Sequence, residues 1–267
     1  MRRKKVKKSS KAAKLLLFVG IAGTIIFAAL IAFDISISRQ EEAYYASLPA
    51  FFNLDDASLN QNSDQLVSFD AGIEPVERIK IPFVDFGAVQ EEFPNAVAWI
   101  RINGTGVNYP VMYGADNQYY ITRRPDGKSS RSGSIFIDYR NSPDFSSQNT
   151  FIYGHRMKSG AMFGMLKNYT SQSFYEKHPI VSIFTPKGNY ELQLLAGYTF
   201  DIMKETQPMK FSDSKSYENY IDNIKRRSIF KSDVEVNYGD RLATLCTCVS
   251  NNDDFRLILV GKLVENN

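Results

Sequence analysis

The 267-residue sequence predicts a mostly β domain, folded as a closed antiparallel or mixed β-barrel with a few peripheral helices, behind one N-terminal transmembrane helix. Tyrosine (15) and phenylalanine (19) are plentiful and β-branched runs are frequent, which favours strands. From about residue 98 onward, short apolar runs alternate with turn residues, and few segments show helical spacing. One uncharged apolar run near the N-terminus has the length of a membrane span.

The N-terminal residues predict a membrane anchor. Residues 1–14 form a tag with eight Lys or Arg and no acidic residue, and residues 15–33 carry no charge. As a helix, the second segment spans about 28 Å, close to the thickness of the hydrocarbon core. A cleaved signal peptide is the alternative, but its apolar region is usually shorter and the sequence Phe33-Asp34-Ile35 is a poor cleavage site. We therefore expect an uncleaved single-pass anchor in the cell membrane, with the tag in the cytoplasm and everything after it outside.

The charge of the rest of the chain argues against a nucleic-acid partner. Without the tag the sequence holds 24 basic and 29 acidic residues, a net charge of −5. Nucleic-acid binding needs a basic face on the folded domain, and this balance gives no support for one.

The remaining chain divides into a stalk and a domain. Residues 34–74 are polar and are predicted to be an extracellular stalk or linker, with residues 39–46 suited to extending the anchor helix. Residues 75–267 form the predicted globular domain. Its strands are expected at 98–102, 107–112, 134–138, 150–153, 180–184, 190–200, 233–236, 242–249 and 255–264.

Helices are expected at three places in the domain. Short helices are compatible with residues 83–93 and 162–169. A longer helix is predicted after the capping candidates at 213–216, because Tyr217, Ile221 and other apolar residues follow at helical spacing.

The two cysteines, Cys246 and Cys248, are one residue apart. On a strand such residues point the same way with Cα atoms about 7 Å apart, which is a poor geometry for a disulfide. Zinc is also disfavoured, because the chain has only two histidines and C-x-C lacks the usual C-x2-C spacing. We therefore expect no metal and no other cofactor, and two free thiols whose presence outside the cell suggests reactivity.

Local geometry distinguishes the two thiols. If residues 250–254 form a five-residue hairpin loop, Cys248 lies opposite Arg256 and Cys246 lies opposite Ile258. A nearby guanidinium stabilises a thiolate nucleophile, and it would also stabilise the oxyanion of a tetrahedral intermediate. The alternative is a surface arginine on an edge strand.

A thiol nucleophile also needs a partner for proton transfer, and the only histidines are His155 and His178. His155 follows a predicted strand and Gly154, a place that suits a side chain displayed at the rim of a barrel. His178 precedes Pro179 at the start of a strand. For either residue the alternative is a hydrogen-bonded loop histidine.

These residues resemble a known family. Residues 244–248, T-L-C-T-C, match the T-L-x-T-C motif of sortases, the cysteine transpeptidases of Gram-positive surfaces. Arg256, eight residues later, and residues 149–155, N-T-F-I-Y-G-H, fit the pattern as well. The resemblance extends from about residue 98 to residue 264, and the helices after His155 and before the final strands indicate class B. It implies the sortase fold, a closed eight-stranded β-barrel.

The resemblance implies a catalytic role for three residues. Cys248 would attack the Thr–Gly-type bond of a C-terminal sorting motif in a surface protein and form a thioacyl enzyme. An amine on a cell-wall precursor would then release the chain as a new amide. His155 would act as acid and base, and Arg256 as the cationic stabiliser.

The resemblance also implies a peptide groove. Asn117, Ile121 and Tyr153 would line it, and Thr247 would contribute to the groove and the oxyanion environment. The alternatives for the first three are a turn asparagine and core aliphatic or aromatic residues.

The sequence departs from the family pattern at two places. Val249 stands where some class B members have an acidic residue, and Cys246 fills a motif position that is often a hydroxyl residue. No aromatic lid motif precedes the barrel, which weakens a class C reading.

Three other functions stay open at this point. The acceptor amine could belong to a pilin lysine, as in class B pilin polymerases. Water could replace the amine, which would give simple peptide hydrolysis. A non-catalytic anchored β-barrel that binds a wall ligand or a peptide is the alternative from another class. The sequence leaves the exact sorting motif, the acceptor, the role of Cys246 and the oligomeric state unspecified.

Overall fold

The computed structural model describes residues 11–53, 83–248 and 254–266, which fall into two compact units, one ending at Ser47 and the other beginning at Leu48. The first unit is helix α1, Lys11–Ser47. Its segment Lys14–Ser47 is long and apolar enough to cross a membrane, and its large apolar side chains are exposed, as contact with lipid requires. The predicted helical extension of the anchor through residues 39–46 is confirmed.

The second unit begins directly after α1. A 3-10 helix, Leu48–Phe51, leads into strand β1, Phe52–Asn53, which pairs antiparallel with β2, Phe83–Val84. The ring of Phe51 packs edge-on against Phe93 at 5.5 Å between centroids and lies 6.4 Å from Trp99. Residues 48–53 thus belong to the unit that contains the barrel, whereas the predicted domain start at residue 75 lies outside the described residues.

Eight further strands build the domain: β3 Ala96–Arg101, β4 Asn108–Met112, β5 Ile135–Ile137, β6 Asn149–His155, β7 Ile180–Thr185, β8 Gly188–Asp201, β9 Leu242–Cys248 and β10 Phe255–Asn266. They close a barrel in the order β10-β8-β7-β3-β4-β5-β6-β9. The β4–β5 and β6–β9 pairs are parallel and the other neighbours are antiparallel. The predicted closed eight-stranded barrel is confirmed.

Helices lie around the barrel: α2 Phe86–Glu92, α3 Gln172–Lys177, α4 Ser214–Arg227, and 3-10 helices Tyr119–Ile121 and Gly164–Thr170. Helix α4 starts where the sequence predicted, because Asp213 accepts a hydrogen bond from the backbone N–H of Ser216 at 2.7 Å in a capping box. The short helices expected within 83–93 and 162–169 are α2 and the 3-10 helix Gly164–Thr170.

The strand predicted at residues 233–236 is wrong. This segment joins no ladder among the described residues. Its apolar residues Val234 and Val236 instead pack against the buried cluster under α4, and Ser232 donates a hydrogen bond to the carbonyl of Leu194 at 2.9 Å. The alternation of apolar residues at 233–236 therefore reflects side-chain contacts with the core and not backbone pairing in a strand.

Helix α4 covers one face of β8, β9 and β10. Three buried residues of α4 share a core cluster with Cys246 of β9 and Ile258 of β10, and Tyr153 of β6 packs against the same cluster. Alternate residues of a strand lie on one face of the sheet. Two residues beyond Cys246 and Tyr153, the positions of Cys248 on β9 and His155 on β6 therefore lie on the same face of the sheet.

Replacing Phe51 tests whether residues 48–53 stabilise the barrel. We expect Phe51→Ala to lower the free energy of unfolding by about 2 kcal/mol, because the ring packs against Phe93 and Trp99 and is only partly exposed. Urea unfolding of the full chain in detergent, followed by the fluorescence of the single tryptophan, measures the change. Phe18→Ala in α1 is the control, since this ring is 70% exposed, and an equal effect of both substitutions would contradict the prediction.

Candidate active site

The parallel pairing of β6 with β9 creates the site. Its register sets Tyr153 opposite Cys246, Gly154 opposite Thr247 and His155 opposite Cys248. Neighbouring strands lie about 4.8 Å apart. The backbone positions of the predicted base and the predicted nucleophile are therefore adjacent, at the ends of their strands.

The imidazole of His155 is buried, with 8% of the residue exposed, and its Nε2 lies 2.6 Å from the carbonyl oxygen of Ile121. A carbonyl oxygen only accepts, so Nε2 carries a proton and Nδ1 is the nitrogen that can gain or return one. Burial lowers the pKa of His155, and the hydrogen bond to Ile121 opposes the shift without cancelling it. The neutral imidazole is therefore favoured near neutral pH.

A tight crossing of two loop segments holds the Ile121 carbonyl in place. Ser134 donates its backbone N–H to the carbonyl of Tyr120 at 2.9 Å. Beside it Gly133 has φ +56°, and a Cβ there would lie 2.7 Å from the carbonyl oxygen of Tyr120 and still closer to that of Ile121. Only glycine fits this position, because the conformation is left-handed and there is no space for a side chain.

The hairpin of β9 and β10 has the predicted register, with Cys246 opposite Ile258. The paired positions end there, and two residues further the same register reaches Cys248 and Arg256. Arg256 is half-buried. The proximity of the guanidinium to the candidate nucleophile stays a prediction.

Thr247 links the two strands where the backbone ladder ends. Its hydroxyl accepts a hydrogen bond from the backbone N–H of Leu257 at 3.1 Å and donates one to the carbonyl of Leu257 at 3.1 Å. The residue is 1% exposed. The side chain thus holds together the strands that carry Cys248 and Arg256, and its role in a groove or an oxyanion site stays a prediction.

Two of the predicted groove residues meet at a carboxylate that the sequence analysis did not single out. Asn117 donates its Nδ2 to Oδ2 of Asp138 at 2.9 Å, and the hydroxyl of Tyr153 donates to the same oxygen at 3.0 Å. Arg140 completes the network through its guanidinium. In the sequence, Asp138 and Arg140 are two residues apart directly after a predicted strand. This spacing is typical of an ion pair that stabilises a turn, and it does not indicate that Asn117 and Tyr153 also bind Asp138.

The other histidine lies elsewhere. His178 precedes β7, a strand that is adjacent to neither β6 nor β9, and its Nδ1 lies 2.8 Å from the carbonyl oxygen of Asn103. Cys246 is buried in the cluster under α4. Within the described ranges, no three His, Cys, Asp or Glu side chains are grouped so as to hold a metal ion.

Comparison with known proteins identifies the family. The sortase domain model matches residues 100–264. Sortase B of Staphylococcus aureus is 34% identical over 182 residues, which are 67% of this chain and 75% of that protein. Sortase B of Listeria monocytogenes is 36% identical over 170 residues, which are 63% of this chain and 69% of that protein.

Solved structures agree with this result. The Staphylococcus aureus sortase B–substrate complex matches with a TM-score of 0.66 at 34% identity, covering 68% of this chain and 85% of that one. Sortase B of Bacillus anthracis in complex with AAEK1 matches with a TM-score of 0.63 at 35% identity, covering 68% and 84%. The chain belongs to the sortase family of cysteine transpeptidases, and its similarity is to class B.

Gly133 offers a test of how His155 is held. We expect Gly133→Ala to reduce kcat/KM for peptide cleavage at least about tenfold, because the new Cβ displaces the Ile121 carbonyl that orients the imidazole. The control is Gly239→Ala, which carries the same left-handed strain at φ +103° but has no atom within 4 Å of the added Cβ. Wild-type kinetics in folded Gly133→Ala protein would show that this carbonyl does not control His155.

The lowered pKa of His155 predicts how stability depends on pH. Between its folded pKa and the ordinary value of about 6.5, the unfolded chain binds more protons than the folded chain. The wild-type free energy of unfolding should therefore fall as the pH drops below about 6.5, by more than that of His155→Gln. Urea titrations from pH 7.5 to pH 5 measure the difference between the two proteins, and parallel curves would contradict this assignment.

Proposed function

We propose that this chain is a membrane-anchored class B transpeptidase that cleaves a C-terminal sorting motif of surface proteins and joins the released chain to a cell-wall amine. Cys248 is the nucleophile, His155 the acid and base, and Arg256 the cationic stabiliser. The observation that carries the proposal is the β6–β9 register, in which Cys248 is the direct neighbour of His155.

The first half-reaction forms the thioacyl enzyme. Nδ1 of His155 takes the thiol proton of Cys248, and the thiolate attacks the carbonyl carbon of the scissile bond. The tetrahedral intermediate carries an oxyanion, which Arg256 stabilises. As the carbon–nitrogen bond breaks, His155 returns the proton to the leaving amine, and a thioester remains on Cys248.

The second half-reaction reverses these roles. The incoming amine attacks the thioester carbonyl while His155 removes its extra proton. As the new amide forms, the carbon–sulfur bond breaks and His155 returns that proton to the Cys248 sulfur. Burial lowers the pKa of His155, so the imidazole rests in its neutral form near pH 7 and is able to accept the thiol proton.

The groove carries the peptide. Asn117, Ile121 and Tyr153 line it, and Thr247 supports it from β9. The contact between the Ile121 carbonyl and His155 and the shared carboxylate of Asn117 and Tyr153 support this assignment, because they connect all three residues to the neighbourhood of the reacting groups. A similar protein, Staphylococcus aureus sortase B, has been solved in a substrate complex.

The location of the enzyme follows from its N-terminus. Helix α1 is the single-pass anchor, the basic residues 1–14 lie in the cytoplasm, and the barrel lies outside the cell. This orientation puts the site where exported surface proteins and cell-wall precursors meet.

A panel of quenched sorting-motif peptides tests the proposal on the full chain in detergent. We expect cleavage by the wild type and by Cys246→Ala, and at least about a thousandfold loss in Cys248→Ala, because only Cys248 carries the acyl group. With added triglycine, mass spectrometry should detect the peptide joined to the new amine. Full cleavage by Cys248→Ala would remove the enzyme assignment.

Two further arms of the same assay distinguish the acceptors. A peptide with a free lysine side chain replaces triglycine in one arm, and no amine is added in the other. Faster product formation with lysine than with triglycine would favour a pilin polymerase. Hydrolysis that triglycine does not divert would favour a simple peptidase.

A further inference from the structure

We infer that Asp138 is a positioning residue that fixes the polar groups of Asn117 and Tyr153 in the peptide groove and thereby sets the affinity for the peptide. The inference rests on the proposed function, because it assumes that these two residues face substrate. It assigns to Asp138 neither proton transfer nor contact with the reacting atoms.

The carboxylate of Asp138 is saturated with donors. It follows β5, and its side chain is completely buried. Oδ1 accepts from the backbone N–H of Arg140 at 3.0 Å and from its Nε at 2.9 Å. Oδ2 accepts from the guanidinium of Arg140 at 2.7 Å, from Asn117 at 2.9 Å and from Tyr153 at 3.0 Å.

This environment keeps Asp138 ionised. Burial alone would raise its pKa, but hydrogen bonds from Arg140, Asn117 and Tyr153 outweigh burial and hold the pKa below its ordinary value. With five donors around two oxygens, the carboxylate has little capacity left for substrate. Its effect on substrate must therefore pass through the groups that it holds.

Asp138 determines what Tyr153 can offer. A phenol has one hydrogen, and Tyr153 donates it to Asp138, so toward any other group its oxygen acts only as an acceptor. Tyr153 lies two residues before His155 on β6, on the same face and about 7 Å away along the strand. The acceptor is thus held within one dipeptide length of the catalytic imidazole.

Asp138 determines the orientation of Asn117 as well. Asn117 accepts a hydrogen bond at Oδ1 from the backbone N–H of Tyr139 at 3.1 Å, while its Nδ2 donates to Asp138. These two contacts fix which end of the amide is oxygen, and they leave the second hydrogen of Nδ2 as a donor. Asp138 thus holds one donor, Nδ2 of Asn117, and one acceptor, the hydroxyl oxygen of Tyr153. Together they complement an amide group of a bound peptide, which has one C=O and one N–H.

A purely local role is the rival explanation. Asp138 also organises the turn that follows β5, through the backbone N–H and the guanidinium of Arg140. The Arg140 side chain is 54% exposed, whereas the Asp138 carboxylate is completely buried, so loss of the ion pair is expected to lower stability in either case. A turn-stabilising role would change only the free energy of unfolding, whereas a positioning role also changes KM.

Steady-state kinetics on the full chain in detergent separate the two roles. We expect Asp138→Asn to raise KM for a sorting-motif peptide about tenfold with kcat changed less than about threefold, because one charge-assisted hydrogen bond to each groove residue is lost. Tyr153→Phe should raise KM by a similar factor. The double variant should resemble Asp138→Asn alone, because Asp138 acts through Tyr153.

Asp240→Asn is the matched control. Asp240 pairs with Lys262 at 2.8 Å and accepts from the backbone N–H of Asn237, so its replacement also removes an ion pair and keeps the side-chain shape. It precedes β9 at the end opposite Cys248, and we expect unchanged KM.

Several results would overturn the inference. Unchanged KM in folded Asp138→Asn protein would do so, and so would a double variant whose KM is raised by the product of the two single effects. If Asp138→Asn does not fold, unchanged KM in both Tyr153→Phe and Asn117→Ala decides against it. A wild type that cleaves no peptide, or a fully active Cys248→Ala protein, would instead refute the proposed function and the inference with it.

Discussion

The parallel pairing of β6 with β9 is the contact on which the site depends. His155 and Cys248 are 93 residues apart in the chain, and parallel strands cannot be joined by a tight turn. The intervening chain forms β7, β8, α3 and α4 before it returns as β9. Closure of the barrel therefore brings the two residues together. Gly154 allows the side chains of Ile135 and Phe163 to pack closely against β6, because a Cβ there would collide with Ile135 and lie 2.8 Å from Phe163.

The environment of the imidazole favours a neutral resting site. Burial disfavours the charged form of His155, and the Ile121 carbonyl fixes Nε2 as the protonated nitrogen. The single remaining nitrogen of the ring is thus available to take a proton and to return it. This arrangement suits a reaction in which the proton moves twice in each half-reaction and no lasting charge is required on the histidine.

The sheet and the loops contribute different parts of the site. Sheet register sets the positions of Cys248 and His155, whereas Asn117 lies in the loop after β4 and Asp138 directly after β5. A rigid scaffold thus holds the candidate catalytic residues Cys248 and His155, and a hydrogen bond ties the loop residues Asn117 and Asp138 together. All of these residues lie within residues 100–264, which match the sortase domain.

The sequence by itself determined the features that depend on near neighbours in the chain. The apolar anchor, the capped helix α4 and the Cys246–Ile258 register of the final hairpin each follow from local patterns or a short loop. Residue chemistry alone left both histidines open, and the resemblance of residues 149–155 to the family motif pointed to His155. The tertiary structure gives the physical reason, because of the two histidines only His155 lies on a strand that pairs with β9. Tertiary contacts also decided that residues 233–236 pack through side chains and that Asp138 joins Asn117 and Tyr153, two of the predicted groove residues. Such contacts join segments far apart in sequence, so no local pattern encodes them, and closure of the barrel creates them.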